Sequence, residues 1–395
     1  MLSLRRWLLL VILVALWSGS PAAAQVSGRA SAVATAARTP DAPGSARRTR
    51  NVVLIVSDGV RWQELFGGAE RALLTREPGG VEDTAGLRRD FWRETPAARR
   101  AALLPFMWDS IARRGQIFGD SAAGSLARVT NGYKFSYPGY NEMLTGAPDP
   151  RIDRNDFGPN PDTTVFERLN ALPAFRGKVA AFGTWDAFPA IFNRDRARFP
   201  VRAAWEPPFT EHPTPVESEI DAFYAGTTRR WDDLAYDGFM QRAVLDYVRT
   251  RRPRVLFVGY GETDEWAHMG RYDRVLRSLH AVDGFVAELW RAMQAMPEYR
   301  GSTTFIITTD HGRGGGLTAW RDHGRDVPGA ERIWIAVLGP DTPPLGARTA
   351  AAPVTQSQIA ATIAALLGVD WRRLMPGAAA PIADVLARPA GPQRR

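Results

Sequence analysis

The chain has 395 residues, 45% of them hydrophobic and 23% charged, the balance of a globular protein with a sizeable core rather than a disordered or fibrous one. Cysteine is absent, which excludes a disulfide framework and attachment of lipid at a processed cysteine. The formal charge of +8 and the isoelectric point of 10.1 do not amount to a nucleic-acid-binding face. Seven Arg against one Asp in the first 50 residues supply +6 of that charge, leaving about +2 for residues 51–395.

The first element in chain order is a leader. Arg5 and Arg6 precede an apolar stretch from Trp7 to Trp17, and Ala22-Ala23-Ala24 offers a small-residue cleavage site. This pattern predicts a signal peptide over residues 1–24 and a periplasmic or secreted protein. An uncleaved anchor is the alternative, but the stretch is shorter than the roughly 20 residues of a spanning helix, so no stable membrane span is expected after cleavage. Residues 25–48, rich in Ala, Ser, Pro and Arg without apolar periodicity, read as a disordered tether.

Short apolar runs then recur, each ending in Gly or a carboxylate. Val52 to Val56 precedes Ser57-Asp58-Gly59, Val179 to Phe182 precedes Gly183-Thr184-Trp185-Asp186, and Val255 to Val258 precedes a segment ending in Asp264. Thr304 to Ile307 precedes Thr308-Thr309-Asp310-His311-Gly312, and Ile333 to Leu338 precedes Gly339-Pro340. Runs without polar alternation predict strands buried on both faces. Between them, Phe239, Ala243, Tyr247 and Val248 mark one helix; Val275, Leu279, Val282, Val286, Leu289 and Met293 mark a longer one. A final helix is expected from Thr355 or Ser357, with Gly368 at its end. Alternating strands and helices predict a mostly parallel sheet covered on both faces, with ligands beyond the carboxyl ends of its strands. Residues 186–235, rich in Pro and aromatics, break this rhythm and read either as a cover over the site or as a surface insertion. Trp185, Phe188, Phe192, Trp205 and Phe209 there would stack on an aromatic group of a substrate or form the cover's own core.

Of five histidines, three sit beside acids: Asp264-Glu265-Trp266-Ala267-His268, Asp310-His311-Gly312 and Asp322-His323-Gly324. Carboxylate and imidazole without thiolate form a ligand set for zinc and similar divalent cations. Asp264 and His268, four apart, share one face of a helical turn, and Asp58 follows the first strand. Six such ligands suit a two-metal site, in which paired ions activate a nucleophile and stabilise a leaving oxygen.

The segment Asn51–Arg61 resembles the first metal motif of the alkaline-phosphatase superfamily. Thr308-Thr309-Asp310-His311-Gly312 is similar to its best-known signature, and His323 before the last strand fits the same order. Phe135-Ser136-Tyr137-Pro138-Gly139-Tyr140, continuing to Leu144-Thr145-Gly146, is similar to the nucleophile segment of type I phosphodiesterase / nucleotide pyrophosphatase members. The resemblance runs from about residue 50 to 370. It implies a three-layer α/β sandwich over residues 49–388 and an exported hydrolase of small-molecule phosphate esters. It also implies two divalent ions, zinc first and Mn or Fe as alternatives, one held by Asp58, Asp310 and His311 and the other by Asp264, His268 and His323. Ser136 would then be a metal-coordinated nucleophile that forms a phosphoserine, with Thr130 the alternative.

The chain also departs from that pattern. Gly139 and Tyr140 replace the Asn and His that follow the Pro in phosphodiesterase members. Asn155 and Asn160 are both candidates for the Asn that holds a phosphate oxygen, and Lys134, Arg313, Arg321 and Arg325 for the cation of a monoesterase. Sulfatases share the fold, but Tyr140 stands where their Arg is expected and no Cys is present. Phosphoglycerate mutases need an inserted domain for which residues 147–178 leave no room. A recognition protein on a degenerate scaffold would have lost some of the ligands, whereas all six are present here.

Overall fold

The structure, a computed structural model, describes residues 47–207 and 212–386. The leader, nearly all of the expected tether, and Phe209 lie outside the described residues. Arg48 and Thr49 anchor the start of the body by donating backbone N–H groups to Asp341.

Eight strands form one sheet: β1 (Asn51–Ser57), β2 (Gln116–Phe118), β3 (Val179–Gly183), β4 (Val201–Ala203), β5 (Val255–Tyr260), β6 (Thr303–Thr308), β7 (Ile335–Leu338) and β8 (Gly346–Ala347). Their spatial order is β4-β3-β5-β1-β6-β7-β2-β8. The centre is parallel, with Val52 opposite Val255 and Thr304 across β1. The exception among the expected strands is β7, which runs antiparallel to β6. Its amino end therefore faces the same edge as the carboxyl ends of β1, β5 and β6.

Every residue of β1, β5 and β6 is buried, because helices cover both faces. Val53 and Ile55 pack into one core, while Val52, Leu54 and Val56 pack into the other. That alternation within a fully apolar run makes the molecule a three-layer sandwich. On the second face lie α1 (Ser136–Thr145) and α5 (Gln358–Leu366); on the first lie α2 (Asp237–Arg251) and α4 (Tyr272–Ala295). The helix α3 (Glu262–His268) follows β5 directly. As the periodicity predicts, Val275, Leu279, Val282, Val286, Leu289 and Met293 of α4 are buried, and Gly368 ends the last predicted helix in the left-handed region at φ 73°. The same face of α4 carries buried Asp283, whose carboxylate accepts the Phe106 and Met107 N–H groups at 2.8 and 2.9 Å. Among the described residues no helix is long and apolar enough to cross a membrane.

The 186–235 segment is neither detached nor structureless. It supplies the edge strand β4 and the helix Pro215–Gly226. Phe188 and Phe192 are buried in the main core, their rings 5.2 and 5.1 Å from that of Phe257. Trp205 packs on Tyr224 and Tyr236 at 5.0 and 5.8 Å. These rings are spent on packing, and the end of the segment reaches α3, where Trp231 lies 4.8 Å from Trp266.

Candidate metal centre

Three strand ends and one helix start deliver the site. Asp58 follows β1, Asp310 and His311 follow β6, α3 presents Asp264 and His268 one turn apart, and Ser136 opens α1. His323 comes from the loop after the short helical turn Ala319–Arg321. Asp310 and His311 are fully buried, and Asp58, Ser136 and Asp264 are nearly so.

Two groups of donors converge. Asp58, Asp310 and His311 form one, with His311 Nε2 3.3 Å from Asp58 Oδ1 and 3.5 Å from Asp310 Oδ2. In the other, His268 Nε2 is 3.1 Å from Asp264 Oδ2 and 2.9 Å from His323 Nε2, which is 3.9 Å from Asp264 Oδ1. His311 Nε2 also stands 3.7 Å from Asp264 Oδ1 and so links the two groups. His268, at the rim, is the exposed member. The alternative nucleophile Thr130 and the histidine of α4 have other partners. His280 sits in α4 against the Leu103 carbonyl, and Thr130 is engaged by Glu142 and Ser357.

Electrostatics test whether these donors suit a cation. Burial, then the nearby Asp264 charge, pushes the Asp58 carboxyl well above the usual range; burial and Asp58 do the same to Asp310. Burial also acts upward on Asp264, but Arg313 with His268 and His323 outweighs it and holds that carboxyl well below the usual range. Burial and the facing His311 push His323 down to about 2, which keeps the ring neutral with a lone pair to offer. His311 donates from Nδ1 to the Gly312 carbonyl at 2.9 Å, which leaves Nε2 as the acceptor. Asp310 Oδ2 and His323 Nδ1, both buried, have no hydrogen-bond partner. Three crowded carboxylates, the neutral His323 ring beside two further imidazoles, and an orphaned oxygen are a donor set that fits divalent cations.

Ser136 Oγ is 3.3 Å from His311 Nε2 and 3.5 Å from Asp58 Oδ1, at the amino end of a ten-residue helix. The departures after Pro138 acquire physical reasons. A Cβ on Gly139 would lie 2.5 Å from the Asp310 carbonyl oxygen, so only glycine lets α1 approach the loop that carries Asp310 and His311. Tyr140 turns its phenol onto Asp58 Oδ2 at 3.0 Å. Gly59, at φ 63°, leaves no room for a Cβ beside Asp264 and Arg313.

The structure separates the substrate-binding candidates. Asn155 lies beside the serine, its Oδ1 accepting the Tyr137 N–H at 3.0 Å. Asn160 does not reach the site. It is fully buried, with Nδ2 donating to Asn141 and Ile191 and Oδ1 accepting from Asp162 N. Lys134 Nζ donates to the Arg325 carbonyl at 3.0 Å and lies 3.6 Å from Glu331. Arg313 is buried, paired with Asp264 and donating to the Gly59 and Arg321 carbonyls. Sequence reasoning missed Tyr140 as a support for Asp58 and Arg313 as a partner of Asp264. An aromatic hydroxyl one turn after Ser136 was the available signal for the first; the second had none, because Arg is common along the chain.

Fold and donor set together define an alkaline-phosphatase-like α/β protein. Alkaline phosphatase PafA superposes with a TM-score of 0.55 at 9% identity, covering 87% of this chain and 100% of that one. The lipoteichoic acid synthase LtaP from Listeria monocytogenes gives 0.50 at 10% identity, covering 87% and 76%. At such identities the likeness shows the fold alone. No curated protein matches the chain. Residues 82–316, more than half of the sequence, match the family model for type I phosphodiesterase / nucleotide pyrophosphatase, and the chain belongs to that family. It is thus a phosphoester hydrolase.

Proposed function

We propose that this protein is an exported, two-metal phosphodiesterase that works through a covalent phosphoserine at Ser136. The observation that carries the reading is the position of Ser136 Oγ, within 3.5 Å of Asp58 and His311 at a helix start. Asp58, Asp310 and His311 would hold one ion and Asp264, His268 and His323 the other, with zinc the best match to mixed carboxylate and imidazole donors. When bound, such ions lower the pKa of an oxygen nucleophile and offset charge on the phosphoryl group and leaving oxygen.

The chain's own residues do the rest. Ser136 forms an Oγ–P bond as one ester P–O bond of the diester breaks, and its proton leaves with the departing alcohol. Water then cleaves the Oγ–P bond of this phosphorylated serine, releasing the phosphate monoester and restoring the hydroxyl. The α1 dipole favours the phosphoryl charge at this position. Asn155, fixed through Oδ1, keeps its Nδ2 donors for a phosphoryl oxygen. Export is supported by the Arg5-Arg6 and Trp7–Trp17 leader pattern.

Preference for a diester over a monoester is supported by how the nearby cations are used. A monoester carries a second negative charge that needs its own partner. Lys134, Arg313 and Arg321 donate to backbone carbonyls, and Arg325 lies over the Tyr133 ring at 4.8 Å. The sulfatase alternative loses ground because Tyr140, at the position of the expected Arg, is turned onto Asp58.

The test is metal analysis of the purified protein alongside hydrolysis of bis-p-nitrophenyl phosphate, p-nitrophenyl phosphate and p-nitrophenyl sulfate. We expect about two ions per chain, fastest cleavage of the diester, and loss of turnover in Ser136→Ala with metal content retained. Full turnover in that variant would remove Ser136 from the nucleophile role, and no turnover on any ester would overturn the proposal.

A further inference from the structure

The helix α1 that opens with Ser136 also carries an acid, Glu142, which is fully buried. Its carboxylate is met from two distant segments at once. From the loop before α1, Thr130 donates its N–H and its hydroxyl, and Asn131 its N–H and Nδ2, at 2.8–2.9 Å. From the chain that enters α5, Ser357 donates its N–H at 3.1 Å and its hydroxyl at 2.7 Å. These charge-assisted hydrogen bonds offset the cost of burying the carboxylate, and they fix both segments to α1.

Both arms lead to the site. Asn131 Oδ1 accepts the Tyr133 and Lys134 N–H groups at 3.2 and 2.8 Å. Lys134 has φ 57°, a left-handed conformation that a non-glycine residue keeps only where its surroundings impose it, and the chain reaches Ser136 two residues later. On the other arm, fully buried Gln356, next to Ser357, donates from Nε2 to the Thr309 and Asp310 carbonyls at 3.2 and 2.7 Å. The Glu142 carboxylate thus joins the loop that delivers the serine to the loop that carries Asp310 and His311.

We infer that Glu142 is a positioning residue of the hydrolase: through Asn131 it sets the loop that delivers Ser136, and through Ser357 and Gln356 it ties that loop to Asp310 and His311. The inference rests on the reading of Ser136 as the nucleophile and concerns what holds its hydroxyl in place. An isosteric amide cannot replace the carboxylate. Whichever way it is turned, its NH2 group meets the backbone N–H of Asn131 or of Ser357, and the loop has to give way. Misplacing a reacting group by about 1 Å costs up to about 100-fold in rate.

The test compares Glu142→Gln, Asn131→Ala and Ser136→Ala in hydrolysis of bis-p-nitrophenyl phosphate and in metal content, and follows amide hydrogen exchange of the metal-free chains. Glu142→Gln and Asn131→Ala should each lower kcat by about 10–100-fold, with KM changed by less than about twofold and metal content retained. Exchange over residues 131–135 should speed up severalfold while the strand Val255–Tyr260 keeps its protection. Unchanged kcat in both variants, with Ser136→Ala inactive, would overturn this inference alone. Turnover in Ser136→Ala, or none in the wild type, would overturn it together with the nucleophile reading. Unchanged exchange over 131–135, or a rate lost with the metal and restored by added zinc, would also overturn it. Should Glu142→Gln fail to fold, Asn131→Ala still decides, because it leaves Glu142 its donors from Thr130 and Ser357.

Discussion

The Tyr140 phenol donates to Asp58 Oδ2 at 3.0 Å from the same helix that carries Ser136 one turn earlier. One rigid element thus sets both the hydroxyl and the orientation of a carboxylate of the proposed metal centre, whose other oxygen faces Ser136 and His311. Partners of this kind fix ligand orientation and are worth about 10–100-fold in metal affinity.

Tyr140→Phe should therefore weaken metal retention by about tenfold while leaving the fold intact, because the ring keeps its edge contacts with Phe188 and Phe257 at 5.0 and 6.1 Å. Residual metal after graded chelation, read beside thermal unfolding, checks this. Unchanged retention would show that Asp58 needs no such support.

Gly139→Ala should act by a different route. The new methyl would meet the Asp310 carbonyl at 2.5 Å, and overpacking of this kind costs about 1–3 kcal/mol. Lower stability and lower metal occupancy are both expected in denaturant titrations with and without zinc. Gly284→Ala, on an exposed stretch of α4 with nothing within 4 Å, is the control and should raise stability by up to about 1 kcal/mol.

Burial raises the Asp283 carboxyl to about 6 despite its two backbone donors. A folded-state pKa above the unfolded value means that the native state holds the proton more tightly. The resulting stability is fully present below about pH 4 and is lost as pH rises through 6. For a gap of about two units the linkage is roughly 3 kcal/mol. The stability difference between the metal-free wild type and Asp283→Asn should therefore drift by up to that amount between pH 4 and 7. A constant difference across this window would refute the shift.

Removal of the ions by chelation should lower the unfolding temperature and abolish esterase activity, both recovered with zinc, because a ligand bound only to the native state stabilises by mass action. Asp310→Ala should lose more metal than His268→Ala, since Asp310 is fully buried and His268 is at the rim. The reverse order, measured by metal content, would count against the assigned ligand sets.

Much of this was legible along the chain. Apolar runs without alternation announce strands covered on both faces, and the acids and histidines at their ends announce a site at the carboxyl edge. Asp58, Asp310 and His311 beside their strands, and Asp264 and His268 within one helical turn, are readable as candidate ligands because spacing alone fixes their direction, whereas His323 comes from a loop. Short strands such as β2 and β4 were not readable: three residues carry too little pattern, and their pairing is decided by partners far along the chain. The same holds for the 186–235 segment, where composition shows many aromatics but only packing shows that Phe188 and Phe192 lie in the core.

Residue types in order thus determined the strand-and-helix rhythm, the donor chemistry and the serine at a helix start. Tertiary structure alone decided that Asn155 and not Asn160 stands beside Ser136, that the neighbouring cations are already engaged, and that Tyr140 is turned onto Asp58. The division has a physical cause: local periodicity sets which way a side chain points from its own element, whereas its hydrogen-bond partner depends on which distant segments close packing brings within about 3 Å.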